Sequence, residues 1–432
     1  MKKIVCMLLV AAVILTGASA VEPPSIDAKG ALLMELETQT VLFEQNADEK
    51  LYPASITKLM TALVVLEKAN PEDIVTVKKE GLDGLPEMGS SVFLVPGEQM
   101  PLMDLLKYLL VSSGNDAANA LAIHIGGTLS DFVEMMNSKA QSLGCTNTHF
   151  ANAHGLHDEN HYTTARDLSL IAQAAIENKT IAEIVAMPQV KVAATNKHKA
   201  QTFTTTNHLI SKIKDGNYYY PDAIGIKTGF TTPAGYCLTA AAVKGELTYL
   251  SVVLGAAKRE DGKIGSFTES IKLLDYAEKN FSVQLVVQSS DPIAEVPVKL
   301  SSERDAVVAV PEGSISALLP NDFDRTKLVI DYDVVKSIDA PVTKGQALGN
   351  ATFSYEGKEY GKLALVAAED IGRSQVLYVV SRITGFFGST AFKIIVGVLL
   401  AVIVLSGAAL VTMRVTNQRR RRRRGGRGKY RR

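Results

Sequence analysis

Cysteine is scarce in this chain of 432 residues, which holds three: Cys6, Cys145 and Cys237. Cys6 lies in an N-terminal segment expected to be removed, and the two thiols left are too few for a disulfide framework. Cys237 sits in the apolar run from Tyr236 to Ala240 and Cys145 follows Gly144, so both are expected as small buried hydrophobes and neither as a nucleophile. Net charge is nearly absent too, at +1, but that figure conceals an asymmetry. Fourteen of the 46 Lys and Arg fall in residues 1–20, at Lys393 and in 414–432, which leaves 32 against all 45 Asp and Glu, a balance of −13. Such an acidic body argues against nucleic-acid binding by the folded part. A metal-ligand pattern is missing as well. His154, His157, Asp158, Glu159 and His161 crowd together without H-E-x-x-H spacing, in a loop containing Gly and Asn, and read as solvated loop. No metal or organic cofactor is expected.

Charge is lacking altogether in the twenty residues from Ile394 to Met413, which is enough for one membrane-spanning helix. Arg414 and the run Arg419 to Arg424 follow directly, and positive residues stay on the cytoplasmic side, so the body of the chain is expected outside. At the other end Lys2 and Lys3, an apolar core from Ile4 to Leu15 and the small residues Ala18-Ser19-Ala20 describe a secretory signal peptide. No cysteine stands at the cleavage point, which argues against lipoprotein processing.

What is present is chemistry at helical spacing. Pro53-Ala54-Ser55-Ile56-Thr57-Lys58 runs into the apolar stretch Leu59 to Leu66, in which Leu59, Leu63 and Leu66 mark a buried helix beginning near Ser55. Ser55 and Lys58 are then i and i+3, on one face and within reach of each other. A hydroxyl is a poor nucleophile at neutral pH and needs an adjacent base, which a lysine kept neutral by burial can supply. Free N–H groups at the helix start could stabilise an oxyanion. Alone, Ser-x-x-Lys is a weak signal, because serine near a helix start is commonly just a cap.

Two further stretches sharpen it. Ser113-Gly114-Asn115 follows an amphipathic run (Leu102, Leu105, Leu106, Leu109, Leu110), and Lys227-Thr228-Gly229 closes the strand-like Ala223 to Ile226. Ser-x-x-Lys, a Ser-x-Asn element and Lys-Thr-Gly, in that order, are the marks of penicillin-binding proteins and class A β-lactamases. With the longer matches Ala-Ser-Ile-Thr-Lys-Leu-Met-Thr-Ala, Val-Ser-Ser-Gly-Asn-Asp-Ala-Ala-Asn-Ala and Gly-Ile-Lys-Thr-Gly-Phe-Thr-Thr-Pro-Ala-Gly-Tyr-Cys-Leu, the chain closely resembles the serine D-alanyl-D-alanine carboxypeptidases, the low-molecular-mass penicillin-binding proteins. The resemblance runs from about Ala28 to Phe281 and weakens over the next hundred residues. It implies Ser55 as acyl-enzyme nucleophile, Lys58 as its base and Ser113 as proton relay to the leaving D-alanine. It further implies that Asn115 holds the substrate backbone or Lys58, that Lys227 and Thr228 bind the terminal carboxylate, and that Gly229 lets the substrate lie close. The oxyanion hole would be the N–H groups of Ser55 and Phe230. Implied partners are peptidoglycan stem peptides, β-lactam antibiotics as covalent inhibitors, and a membrane. A serine β-lactamase and a penicillin-binding sensor without turnover are the rivals. Glu159, followed by Asn160-His161, lacks the Glu-x-x-Leu-Asn pattern of the β-lactamases. Some relatives carry His where this chain has Phe230, and an Arg ahead of the third motif has no clear counterpart here. Tyr218, Tyr219 and Tyr220 are expected either in the cleft or over the sheet edge.

Periodicity supplies the framework. A hairpin over Gly30 to Leu51 precedes the Ser55 helix, and helices are expected at 101–111, 115–125, 130–143 and 165–177, the last with Thr164 and Asp167 as a capping box. Strands return at Ile224, Cys237 to Val243 and Tyr249 to Leu254, then a helix from Gly265 to Lys279. Strands at both ends with helices between describe an α+β domain, and the resemblance implies a β-lactamase/DD-peptidase-like fold of antiparallel sheet plus helical subdomain. The expected organisation is a signal peptide at 1–20, a catalytic domain at 21–281, a β-rich domain at 282–372, a linker at 373–393, a transmembrane helix at 394–413 and an Arg-rich cytoplasmic tail at 414–432. The whole would be a single-pass protein of a bacterial cell membrane with its catalytic domain extracytoplasmic.

Overall fold

The computed structural model describes residues 22–86 and 89–425, with side chains as far as Arg421. The signal segment 1–20 and the end of the Arg-rich tail lie outside the described residues. Two units are present: the chain up to Ser282 together with Leu318–Phe323, and Val283–Ala317 together with the remainder from Asp324.

In the first unit β1 (Gly30–Glu35) and β2 (Thr40–Gln45) form the expected hairpin, and a short 3-10 turn (Ala54–Thr57) leads into α1 (Lys58–Lys68). Residues 58 to 65 of α1 are all buried, as befits a helix apolar around its whole circumference. A small pair, β3 (Ile74–Thr76) with β4 (Gln99–Pro101), precedes α2 (Leu102–Lys107). The continuous helix expected over 101–111 is interrupted: after Lys107 the backbone widens into a π-helical turn, Tyr108–Ser112, which ends on Ser113 in the left-handed region (φ 65°). π-turns cluster at functional sites, and this one swings Ser113 out of helical register. Then come α3 (Asn115–Gly126), α4 (Leu129–Ser142), α5 (Ala165–Glu177) and α6 (Lys179–Val185), followed by the pair β5 (Gln189–Val192) and β6 (Gln201–Thr204). Only half of the expected capping box forms at α5. Thr164 Oγ1 accepts from the Asp167 N–H, but the Asp167 carboxylate accepts from the Asn147 N–H and the Thr148 hydroxyl, tying a neighbouring loop down instead.

The strands β7 (Ala223–Thr231), β8 (Gly235–Lys244) and β9 (Leu247–Ala256) complete an antiparallel sheet in the order β2-β1-β9-β8-β7. Leu32 and Met34 of β1 with Leu250, Val252 and Leu254 of β9 pack into the helical core around α1, whereas Ala31, Leu33, Tyr249 and Val253 pack with Phe267, Leu273 and Leu274 of α7 (Gly265–Asn280). Both faces of the central strands are therefore covered, which is why β1 reads as an unbroken apolar run. Because β1 and β9 pair, the two ends of the unit share one sheet, as the alternation of elements suggests. The sheet puts Lys227, Thr228 and Gly229 on its outermost strand, beside the turn that carries Ser55.

Beyond α7 the strands are β10 (Phe281–Val287), β11 (Ala294–Lys299), β12 (Ala306–Pro311), β13 (Ile315–Pro320), β14 (Val329–Val334), β15 (Ile338–Asp339), β16 (Ala347–Tyr355) and β17 (Lys358–Ala367). Six of them form the second unit's sheet, in the order β14-β16-β17-β12-β11-β15, so this region is β-rich as expected. The stretch 373–393, expected as a linker, is largely helical: α8 (Gln375–Gly388) fills most of it. Val376, Val379, Val380 and Ile383 fall at helical spacing there, a periodicity strong enough to have marked it. After it, α9 (Thr390–Gly425) contains one stretch, Thr390–Arg421, long and apolar enough to cross a membrane, with a mean hydropathy of 3.0 over its 18-residue apolar window.

Candidate active site

Ser55 is displayed by strained local backbone. Ala54, immediately before it, adopts φ +48°, a conformation uncommon for a residue with a side chain, and the 3-10 turn delivers Lys58 as the first residue of α1. Gly155 of the His154-Gly155-Leu156 loop passes directly over this turn. With φ +85° and a Cβ position that would lie 1.9 Å from the Ala54 carbonyl oxygen, only glycine fits. That close passage brings the His154 carbonyl to the lysine.

Lys58 is fully buried and has three partners: Ser55 Oγ at 2.8 Å, Asn115 Oδ1 at 2.8 Å and the His154 carbonyl oxygen at 2.6 Å. A neutral amine has two N–H donors and one lone pair. With Asn115 and His154 accepting the two protons, the lone pair is left for the hydroxyl proton of Ser55. Burial holds the Lys58 pKa well below the ordinary lysine value, the Lys227 ammonium lowers it further, and Asp116 opposes both. Lys227 is itself buried, which brings it down to about 7, and its Nζ donates to the Thr228 carbonyl.

The opposite wall is built from the start of α3. Ser113 lines the cleft, and Asn115 is turned onto Lys58. The neighbouring Asp116 was not singled out from sequence, yet its buried carboxylate accepts from the N–H groups of Val92 and Leu94 and from the Ser91 hydroxyl, clamping the segment that carries Ser90 into the wall. On the sheet side Thr228 shares a 2.6 Å hydrogen bond with the Thr206 hydroxyl, and Phe230 is exposed with its ring against Tyr236 at 4.5 Å. Gly229 has a structural use beyond admitting substrate: a Cβ there would lie 2.8 Å from the Pro53 carbonyl oxygen and 3.1 Å from Ser55 N, so glycine lets β7 close against the nucleophile turn. Of these, Ser55, Ser90, Ser113, Thr206, Thr228, Gly229 and Phe230 border a cleft of about 250 Å³. A larger cavity of about 440 Å³, bordered by Glu67, Lys68, Asp131 and Lys139, contains no such constellation.

The histidine-rich loop is not laid out for a metal. His161 bonds to the Thr57 hydroxyl at 2.8 Å, His154 Nδ1 accepts from the Leu156 N–H, and His157 packs edge-on against Tyr52. Burial, with Lys58 nearby, brings His154 down to about 3 and burial brings His161 down to about 4, so both rings are neutral. Glu159 is exposed and does not border the cleft. Burial pushes the Cys145 thiol up to about 12 and Cys237 up to about 11, so neither is a thiolate at neutral pH. Tyr218 and Tyr220 support the wall from behind rather than lining it: Tyr218 packs on Phe267 with its hydroxyl accepting from the Ile264 N–H, and Tyr220 donates to Asp275.

A serine hydroxyl against a buried amine whose pKa is held low, in a cleft edged by hydroxyls of the strand that also carries Lys227, suits acyl transfer on a peptide that carries a terminal anion. Comparison with known proteins agrees: the D-alanyl-D-alanine carboxypeptidase family matches residues 17–258. The chain belongs to this family. As a member it is a serine hydrolase, a penicillin-binding D-alanyl-D-alanine carboxypeptidase of peptidoglycan metabolism. Residues 281–373 match the C-terminal domain of penicillin-binding protein 5. The carboxypeptidase is 32% identical to D-alanyl-D-alanine carboxypeptidase DacF of Bacillus subtilis, over 85% of this chain and 91% of that one. It is 34% identical to DacC of Escherichia coli, over 85% and 88%. The crystal structure of penicillin-binding protein 5 from Haemophilus influenzae superposes with a TM-score of 0.60 at 30% identity, covering 82% of this chain and 100% of that one.

Sequence reasoning overlooked part of this carboxypeptidase's cleft: Ser90, Thr206, His208, Ile264, Ser266 and Phe267. The polar cluster Thr204 to His208, following the alternation of β6, was the available signal for two of them.

Proposed function

We propose that the enzyme removes the terminal D-alanine from peptidoglycan stem pentapeptides through an acyl-enzyme on Ser55, in the extracytoplasmic space. The observation that carries the reading is Lys58 Nζ at 2.8 Å from Ser55 Oγ in a fully buried setting. Lys58 takes the hydroxyl proton as Ser55 attacks the carbonyl between the two D-alanines. The N–H groups of Ser55 and Phe230 receive the oxyanion, Ser113 passes the proton to the leaving amine, and Thr228 contacts the terminal carboxylate, with buried Lys227 acting on it only through its charge. Water, deprotonated by the same lysine, then releases the shortened peptide. In the topology that fits, the span over Ile394 to Met413 anchors the chain, and the arginines from Arg414 onward remain in the cytoplasm.

No acidic side chain borders the cleft among the described residues, which favours this reading over a class A β-lactamase, whose deacylation needs a carboxylate to position water. The test is incubation with a D-alanyl-D-alanine peptide and with penicillin. Wild type should release D-alanine, and mass spectrometry should find one adduct on the Ser55 peptide, persisting as D-alanine release is lost. Lys58→Arg keeps the charge but cannot serve as a base, and acylation should fall by about 10²–10⁴-fold. Near-normal acylation of that variant would rule out Lys58 as base, and rapid penicillin turnover without a lasting adduct would favour the β-lactamase.

A further inference from the structure

The substrate proposed above ends in a carboxylate, and the cleft that must receive it contains a single basic side chain among its described lining residues. That residue is His208. Lys227 does not border the cleft; it is buried, with Nζ turned to the Thr228 carbonyl. His208 is held in place, its ring stacked on Phe267 at 5.1 Å with an interplanar angle of 11° and lying 5.9 Å from Tyr218. Its Nδ1 is buried with no hydrogen-bond partner, as is Nδ2 of the adjacent Asn207. Buried polar atoms are seldom left so, and an unpaired polar edge beside a cleft is the condition expected of a group whose partner arrives with the ligand. Two residues upstream, Thr206 bonds to Thr228 at 2.6 Å, so a pair of hydroxyls stands on the same side of the cleft.

We propose that His208, together with the hydroxyls of Thr206 and Thr228, binds the C-terminal carboxylate of the substrate, which makes His208 a further specificity-determining residue of this reaction. The inference rests on the reading of Ser55 as nucleophile for a D-alanyl-D-alanine peptide. Charges facing the ring from its own segment are Asp215, which favours the imidazolium, and Lys214, which opposes it; burial, the largest influence, together with Lys214 outweighs Asp215 and lowers the His208 pKa. From α7 it meets Phe267 and Ser266, while Glu269 on that helix is taken up by Lys272 and Arg259. The free enzyme therefore presents a neutral ring near pH 7, and an incoming carboxylate stabilises the protonated form, which donates from both nitrogens.

The experiment measures kcat and KM for two peptides, one ending in free D-alanyl-D-alanine and one ending in its carboxamide, from about pH 5 to 8. Wild type is compared with His208→Leu and with His208→Gln, which keeps a neutral donor. On the acid peptide His208→Leu should raise KM about tenfold or more with kcat little changed, the size of one lost hydrogen bond to a charged group. On the carboxamide it should change little, and His208→Gln should recover part of the loss. The wild-type to His208→Leu ratio of kcat/KM should widen as pH falls below the ordinary histidine value; titration of Lys58 and Lys227 is common to both proteins and cancels. Equal losses on acid and carboxamide, as from a merely structural ring, would overturn the proposal, and so would a ratio independent of pH. If wild type released no D-alanine and formed no Ser55 adduct, the reading of the function itself would fall, and this inference with it.

Discussion

Substituting Gly229→Ala tests whether closeness of β7 to the nucleophile turn sets the rate. The added Cβ would meet the Pro53 carbonyl oxygen at 2.8 Å, Ala54 Cβ at 3.1 Å and Ser55 N at 3.1 Å. Carbon contacts rest at about 3.5 Å or more, so the strand and the turn must part by roughly half an ångström. Neither side can yield through a flexible side chain, since two of the three atoms are backbone and the third is a methyl on the strained Ala54. Overpacking of this kind costs about 1–3 kcal/mol, roughly 2–10 °C in melting temperature for a domain of this size. The catalytic effect should be larger in proportion, because a misplacement of ~1 Å costs about a hundredfold in rate and half of that about tenfold. D-alanine release and the penicillin acylation rate, followed beside a thermal melt, separate the two effects. A folded variant with at least a tenfold loss in kcat/KM for both reactions is expected. Wild-type kinetics would refute the argument that Gly229 is there to bring the strand against Ser55.

Lys227 gives a prediction about pH and stability. Its pKa is about 7 in the folded protein, lowered by burial, against ~10.4 for an unfolded lysine. Between those values the unfolded chain binds the proton more tightly, so stability rises with pH, and the cost of the buried lysine is fully developed below about 7. At ~1.36 kcal/mol per pH unit the interval amounts to 4–5 kcal/mol as an order of magnitude. Lys227→Met should therefore flatten the rise of melting temperature between about pH 7 and 10, and an unchanged slope would contradict the lowered pKa. For topology, an epitope placed after Arg432 should be protected from external protease in intact cells while the catalytic unit is digested, and an accessible epitope would reverse the orientation proposed. A chain ending near Ser374 should be soluble and active, since no residue of the cleft lies beyond it.

The sequence by itself determined what depends on neighbours along the chain. Ser55 and Lys58 stand three residues apart, and one helical turn suffices to join them. The cap at Thr164, the apolar span in α9 and the β-rich character of the region after α7 are likewise local or compositional, and each was legible. Tertiary structure decided what turns Lys58 from an ordinary lysine into a base. Its other partners are 57 residues away at Asn115 and 96 away at His154, and the second is a backbone carbonyl that no side-chain pattern advertises. The same holds for Gly229 against Pro53, Gly155 over Ala54 and His208 on Phe267. Leu318, far along the chain, joins the core that backs α7. Periodicity reports which face of an element is buried and cannot report against what. Burial and close approach set the pKa of a lysine and the position of a hydroxyl, and both arise only when distant segments pack.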